Sequence, residues 1–341
     1  MNRKERVKKT VARQEVDYIP FHVEMTNYLK QRVAAYYKIP VDKLEHLIGN
    51  HLLHINFQHG QDYKPVKLDS KLEIDEFGVT WNYEKIAVGD WGMVKHALDL
   101  PDMSMYNWPD PYSGGRFNNI PKLISENPDR FNVLNTPGIF ETCWHIRGFE
   151  NFLMDMVLNT EFANKCLDKA LEFITGIIET FPAQIDGFRF VEDWGKQKGL
   201  LMSKKHWDEF IKPRLQKAYE ACKKRKVTLM IHSCGDIIEL IPDLIELGVD
   251  IIDPIQPEVM DISFLKKEYG KYVTFFGGLG SQSTIPRGTP DDVSKEFEQH
   301  IKILGTGGGC IIGPAGALPT DTPMENVTKL IECCHKICPS F

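Results

Sequence analysis

The 341-residue chain carries 41 Lys and Arg against 47 Asp and Glu, a net charge of −6, so it lacks the cationic excess with which a general nucleic-acid binder displaces counterions. Hydrophobic residues make up 42% of it, enough for a large core. No run of about 18 apolar residues marks a membrane span, and none is expected.

The first residues, Met1-Asn2-Arg3-Lys4-Glu5-Arg6-Val7, hold no apolar signal region, which predicts a cytoplasmic protein. Ile19-Pro20-Phe21-His22-Val23 reads as a first strand and 52–57 as a second. The stretch from about 60 to 125 then breaks the rhythm, with Tyr63, Phe77, Trp81, Tyr83, Trp91, Tyr106, Trp108 and Tyr112 set among prolines. Leu72-Glu73-Ile74-Asp75 followed by Phe77-Gly78-Val79-Thr80-Trp81 predicts a hairpin inserted above the main fold, because a structureless stretch of this length is rare in a compact domain.

Beyond residue 130, short apolar runs alternate with amphipathic ones. Strands are expected at 131–135, 187–191, 227–231, 250–253, 274–277 and 310–312. Helices are expected at 149–181, 204–224, 237–247, 262–269, 290–304 and 323–337. Thr289-Pro290-Asp291-Asp292 and Thr322-Pro323-Met324-Glu325 each offer Thr as N-cap, Pro at the first helical position and an acid at the third. Strand-helix alternation reads as a parallel sheet, and eight strands are the number that closes a (β/α)8 TIM barrel, here with an aromatic-rich insert after the second strand. A doubly wound open sheet is the rival, but no glycine fingerprint opens a helix after an early strand. No linker divides the chain, so residues 1–341 are expected to form one domain.

Val227-Thr228-Leu229-Met230-Ile231-His232-Ser233-Cys234-Gly235 carries the chemistry. Residues i and i+2 of a strand share a face, so His232 and Cys234 stand side by side where the strand ends. An imidazole and a thiolate together suit zinc. Phe188-Arg189-Phe190-Val191-Glu192-Asp193-Trp194 ends the preceding strand with two carboxylates, only one of which faces the axis. Glu24, ending the first strand, is a further candidate. Trp144, His145, Trp194 and Gln256 follow other strands and are expected at a substrate. The eight cysteines are scattered, which fits reduced thiols better than a disulfide scaffold. Cys310 reads as a core thiol, and Cys333-Cys334-His335-Lys336-Ile337-Cys338 as part of a terminal helix.

Three further segments carry a family resemblance. Arg3-Lys4-Glu5-Arg6-Val7 with Val16-Asp17-Tyr18-Ile19-Pro20, Phe275-Phe276-Gly277-Gly278-Leu279 with Arg287-Gly288-Thr289-Pro290, and Pro319-Thr320-Asp321-Thr322-Pro323-Met324-Glu325-Asn326-Val327 make the chain resemble the uroporphyrinogen decarboxylase superfamily over nearly its whole length. The resemblance implies a (β/α)8 barrel. The decarboxylases carry Arg-Gln-Ala-Gly-Arg after the first strand, to hold the substrate's many carboxylates. Glu24-Met25-Thr26-Asn27-Tyr28 stands there instead, with no arginine. The methyltransferase branch carries His-x-Cys-Gly at the fifth strand, matched here by His232-Ser233-Cys234-Gly235. That branch implies zinc, a corrinoid (methylcobamide) carried by a partner protein, and a third ligand that is a cysteine in thiol-methylating members. Gly316 occupies that cysteine's place, so a carboxylate (Glu192, Asp193 or Glu24) or water is expected to complete the shell and serve the chemistry. The expected function is therefore a zinc-dependent methyltransferase that moves a methyl group between a small methylated substrate, methoxylated ones included, and the cobalt of a corrinoid protein. The competing readings are a metal-free carboxy-lyase and a non-catalytic barrel that only binds a corrinoid protein.

Overall fold

A computed structural model describes residues 1–87 and 92–338; Trp91 of the aromatic insert lies outside them. Eleven strands follow one another among these residues: β1 (Leu52–Asn56), β2 (Val66–Lys67), β3 (Leu72–Ile74), β4 (Thr80–Asn82), β5 (Met93–Lys95), β6 (Phe131–Pro137), β7 (Gly187–Val191), β8 (Thr228–His232), β9 (Ile251–Ile255), β10 (Thr274–Leu279) and β11 (Cys310–Pro314). Seven of them pair in the order β1-β6-β7-β8-β9-β10-β11, all parallel and with helices between them, in a curled TIM-barrel-like sheet.

The eighth position, expected at 19–23, is not a full strand. Phe21 and Met25 make isolated parallel bridges to Ile312 and Leu318. The Ile312 N–H donates to the Pro20 carbonyl at 2.9 Å, and the His22 N–H donates to the Ile312 carbonyl at 3.0 Å. On the other flank the His51 N–H reaches the Phe21 carbonyl at 3.1 Å, and the next rung is a side chain. The Asn50 carboxamide accepts from Val23 N–H at 2.8 Å and donates to its carbonyl at 3.1 Å. Pro20 has no N–H to give, so the segment fills the gap between β11 and β1 with fewer ladder bonds than a strand makes.

Leu52, Phe131, Val133, Met230, Ile251, Phe276 and Ile311 form a hydrophobic cluster of their own, joined by Val7 of the helix Arg3–Val11. Leu52 pairs in register with Phe131 and Met230 with Ile251, so the cluster lines one face of the sheet, its inner one. The helix is held there by a capping box between Asn2 and Glu5 and by Arg3 bound to Asp129 at 2.7 Å.

The expected 237–247 helix opens with a 3-10 turn, Ile238–Leu240, and the last helix, Met324–Ile337, is capped by Pro323 and not by Thr322, whose hydroxyl donates to the Pro319 carbonyl at 2.7 Å. Two other helices are interrupted within the expected stretch. The 149–181 stretch divides into Phe149–Leu158 and Thr160–Thr180 at Asn159, whose backbone (φ −130, ψ 51) leaves the helical region and whose side chain donates to Asp155 at 2.8 Å. The 204–224 stretch passes through a π turn, Trp207–Ile211, just ahead of Pro213, which has no N–H for the regular ladder. The expected hairpin is present as β3 and β4, antiparallel with Glu73 opposite Trp81, inside the four-stranded sheet β2-β3-β4-β5. Among the described residues no helix is long and apolar enough to cross a membrane.

Candidate metal centre

The alternation along β8 sends His232 and Cys234 one way and Ser233 the other. Ser233 is fully buried, and its hydroxyl accepts from the Trp194 N–H at 3.0 Å, tying the loop after β7 to the end of β8. Two glycines let those loops touch. A Cβ on Gly195 would meet the Cys234 carbonyl oxygen at 2.5 Å, and one on Gly235 (φ +82) would meet the Gly195 carbonyl carbon at 2.5 Å. The contact delivers Asp193 to Cys234, whose N–H donates to Asp193 Oδ1 at 2.8 Å.

Asp193, His232 and Cys234 therefore form a cluster in which each offers one ligand atom, all within 4.8 Å of one another. Cys234 Sγ lies 3.7 Å from His232 Nε2. Bond lengths of roughly 2.0–2.3 Å at tetrahedral angles put two zinc ligands about 3.6 Å apart, so this pair already has the spacing of a bound ion. The rest of the histidine is held too. His232 Nδ1 lies 3.0 Å from Asp253 Oδ2, and Arg189 Nε donates to the same oxygen at 2.6 Å. With Nδ1–H donating to that carboxylate, Nε2 is the nitrogen that would meet a metal once the ion displaces its proton. Arg189 Nη2 also lies 2.7 Å from His232 Nδ1 and 4.0 Å from Glu24 Oε2. Burial works against ionisation of Asp253, but Arg189 and His232 outweigh it and hold the carboxyl down at about 2. Burial and Arg189 likewise oppose charge on His232, while Asp253 and Cys234 favour it and carry its pKa well above the usual range.

The adjacent carboxylates have opposite fates. Glu192 is buried beneath the helix Ile139–Arg147, where Oε1 accepts from the N–H of Ile139 (2.6 Å) and Phe140 (3.3 Å) and Oε2 from that of Glu141 (3.2 Å). Gly138 makes room, since a Cβ there would meet the Glu192 carboxyl carbon at 2.1 Å. Burial pushes the Glu192 pKa up to about 8, against the pull of those three amides. Glu24 is half-buried and stands near Arg189 rather than in the cluster.

The residues expected at a substrate are dispersed. Trp144 is joined by Phe149, Asp193, Gly195 and Leu201 around a cavity of about 400 Å³, so the metal cluster and this chamber share Asp193. His145 lies behind Trp144, edge-on at 4.2 Å, with Trp81 of the insert on its other side at 5.2 Å; burial and His96 depress its pKa to about 3. Trp194 is fully buried and packs edge-on against Trp207 at 5.6 Å. Gln256 is buried too, its Oε1 accepting from the Gly235 N–H at 3.2 Å, which supports the turn after Cys234. Cys310 is a core thiol whose burial pushes its pKa up to about 12. Gly316 has a φ of +110 and nothing within 4 Å of a Cβ built on it, so a side chain there has space but a strained backbone.

Sequence reasoning passed over five groups around the cluster. Arg189 and Asp253 orient His232, and His22 and His54 meet edge-on at 4.9 Å. His54 Nδ1 lies 3.1 Å from Asn135 Oδ1, so the inner face of the sheet is polar here. Glu141 is also close by. Its burial, together with Asp193 and Glu192, raises its pKa well above the carboxylate range.

Residues 118–337 match the family model described as uroporphyrinogen decarboxylase (URO-D), which is more than half of the chain. The chain belongs to the uroporphyrinogen decarboxylase family. Among solved structures, a methyltransferase from Methanosarcina mazei superposes with a TM-score of 0.74 at 18% identity, covering 98% of this chain and 99% of that one. This family member thus shares that protein's fold from end to end. Two further structures align less closely. A 3-keto-D-glucoside 4-epimerase from E. coli has a TM-score of 0.43 at 12% identity over 64% of this chain and 84% of that one. An endo-beta-1,4-xylanase from Gloeophyllum trabeum has a TM-score of 0.41 at 11% identity over 70% and 84%. Comparison with curated proteins gives no match.

Proposed function

We propose that this family member is a zinc-dependent methyltransferase that exchanges a methyl group between a small methylated substrate and the cobalt of a corrinoid carried by a partner protein. The observation that carries the reading is the cluster of Asp193, His232 and Cys234, with Asp253 behind the histidine. An imidazole, a thiolate and a carboxylate are all donors that zinc accepts, and bound there it would act as a Lewis acid toward a substrate heteroatom. Asp193 takes the part that the sequence left open at Gly316, and one carboxylate in place of a sulfur makes the centre more electrophilic. That favours removal of a methyl group from a substrate over activation of a thiol acceptor. Asp253 would fix the His232 ring and its tautomer, and the Cys234 amide would hold Asp193 in place.

The carboxy-lyase alternative has less support. Glu24 stands where a substrate rich in carboxylates would need cations, and the nearby Arg189 is committed to Asp253. The test begins with metal content. Protein purified without added chelator is expected to hold zinc in stoichiometric amount, and Cys234→Ala to lose it. Methyl transfer monitored by cobalamin absorbance is expected to vanish in the same variant. A zinc-free protein at micromolar metal, with His232→Ala retaining full transfer activity, would overturn the reading in favour of a barrel that uses no metal.

A further inference from the structure

The helix Phe149–Leu158 is built the wrong way round for one whose outer face meets only water. Its inner side takes Phe152, Met156 and an acid, Asp155, which Arg147 binds at 2.8 Å. Its outer side carries Met154, Val157 and Leu158, at positions i, i+3 and i+4, and these are 51%, 58% and 75% exposed. The chain from the insert is tied alongside. Arg147 Nη1 donates to the Asp99 carbonyl at 3.0 Å, and the Leu98 N–H to the Ile146 carbonyl at 2.7 Å. Just beyond that tether, Leu100 and Met105 are 71% and 91% exposed. Residues 101–104 face residues 158–162 across one cleft, so the tethered segment and the helix end make a single surface. Single exposed apolar side chains are ordinary. Five large ones in one patch mark a surface that another molecule covers.

We infer that this patch is where the corrinoid-carrying partner docks, and that the partner presents an apolar face ringed by Lys and Arg. The inference rests on the methyltransferase reading and deepens it by assigning the surface its partner uses. Charge selects the occupant. Residues 99–105 and 149–161 hold exposed carboxylates at Asp99, Asp102, Glu150 and Glu161, and not one Lys or Arg. Only Glu161 has its charge shared, with Lys165 at 2.7 Å. A second copy set on this patch by a two-fold axis would bring those acids against themselves. A basic-rimmed partner is instead attracted and steered by them.

Position selects the same occupant. Phe149, which opens the helix, stands at the cavity that shares Asp193 with the metal cluster. Leu158 closes the same helix, about 14 Å away at a rise of 1.5 Å per residue. A stable interface takes roughly 800 Å² from each partner, a footprint about 30 Å across. A protein seated on the patch therefore also covers that cavity. Cobalt has to reach the substrate from this end, because the apolar cluster and Val7 plug the other one.

Docking can be measured without any methyl transfer. The probe is the corrinoid protein purified from the source cells by its corrin absorbance. Sedimentation velocity followed at that absorbance gives its Kd for the full-length chain. Val157→Glu combined with Leu158→Glu is expected to raise the Kd at least tenfold, with zinc content and urea unfolding as in wild type, since both side chains are exposed. Met105→Glu, expected to raise it several-fold, stands in should the double variant fail to fold. Asp102→Lys combined with Glu150→Lys is expected to weaken binding several-fold, and added salt to weaken it in wild type. Unchanged binding in the folded variants, or no binding by wild type, overturns the inference. A wild-type dimer that the double variant dissolves gives the patch to a second copy and overturns it too. Docking without transfer to any cobalt source sinks the methyltransferase reading and leaves the surface standing. Transfer to free cob(I)alamin without docking sinks the surface alone.

Discussion

The lower and upper halves of the barrel interior are built on the same strands and the same alternation, yet they differ completely in chemistry. Two residues along, on the same face, Leu52 gives way to His54, Val133 to Asn135, Gly187 to Arg189, Met230 to His232, and Ile251 to Asp253. The lower half is an apolar plug closed by Val7. The upper half is a set of buried polar groups that pair with one another, Arg189 with Asp253 and Asp253 with His232. Apolar burial contributes stability directly. A buried ionic network contributes little net stability, because desolvation offsets most of its attraction. What it does supply is position, and position is what a metal ligand needs. The lower half should therefore govern stability and the upper half metal affinity.

The largest expected effect tests the lower half. Phe276 is almost fully buried in the apolar cluster. Phe276→Ala should cost about 3–5 kcal/mol, the usual range for a buried aromatic truncated to alanine, read from the midpoint and slope of urea unfolding. Zinc affinity of the folded fraction should stay within a factor of about three, since Phe276 meets the upper half at the His22 ring, edge-on at 5.9 Å, rather than at a ligand of the cluster. A large loss of metal affinity with little loss of stability would erase the division between the halves.

A smaller effect is expected one layer up. Asp253→Asn keeps an acceptor near His232 Nδ1 but removes the charge that orients the ring and balances Arg189. Zinc affinity measured by chelator competition should fall about 10–100-fold, as is typical when the partner of a ligating histidine is lost. Unchanged affinity would show that Asp253 serves only the packing of Arg189.

Strand period made much of this legible in advance. His232 and Cys234 follow from i, i+2 alternation alone, and one of Glu192 and Asp193 had to face the axis by the same rule. Applied to neighbouring strands, the rule would also have found Arg189, His54 and Asp253, each a polar residue in an apolar run. It could not tell that the Asn50 carboxamide replaces a rung beside Val23, because that contact joins residues 27 apart through a side chain. Nor could it tell that Asn159 divides a continuous amphipathic pattern. The neighbouring carboxylates mark its limit most clearly. Which one caps a helix depends on the gap left by Gly138, a residue 54 positions earlier on another strand's loop.

That pair also provides the finest test, because Glu192 is a polar group doing structural work at the edge of the functional layer. Its pKa in the fold is pushed up from 4.5 to about 8. Below about pH 4.5 the carboxyl is protonated in both states and its contribution to stability is fully present. As the pH rises, the unfolded chain ionises first, so stability is withdrawn progressively until the folded carboxyl also ionises near pH 8. Glu192→Gln cannot ionise and mimics the protonated acid, so its stability should lack this decline. The difference between wild type and variant, from urea unfolding at several pH values, should therefore shift in favour of the variant between about pH 4.5 and 8. The three amides at the start of the Ile139–Arg147 helix pull the other way, since a helix N-terminus favours an anion. If wild type instead gains on the variant as the pH rises, those amides outweigh burial, and Glu192 is a charged cap whose negative field reaches Asp193 and the metal cluster.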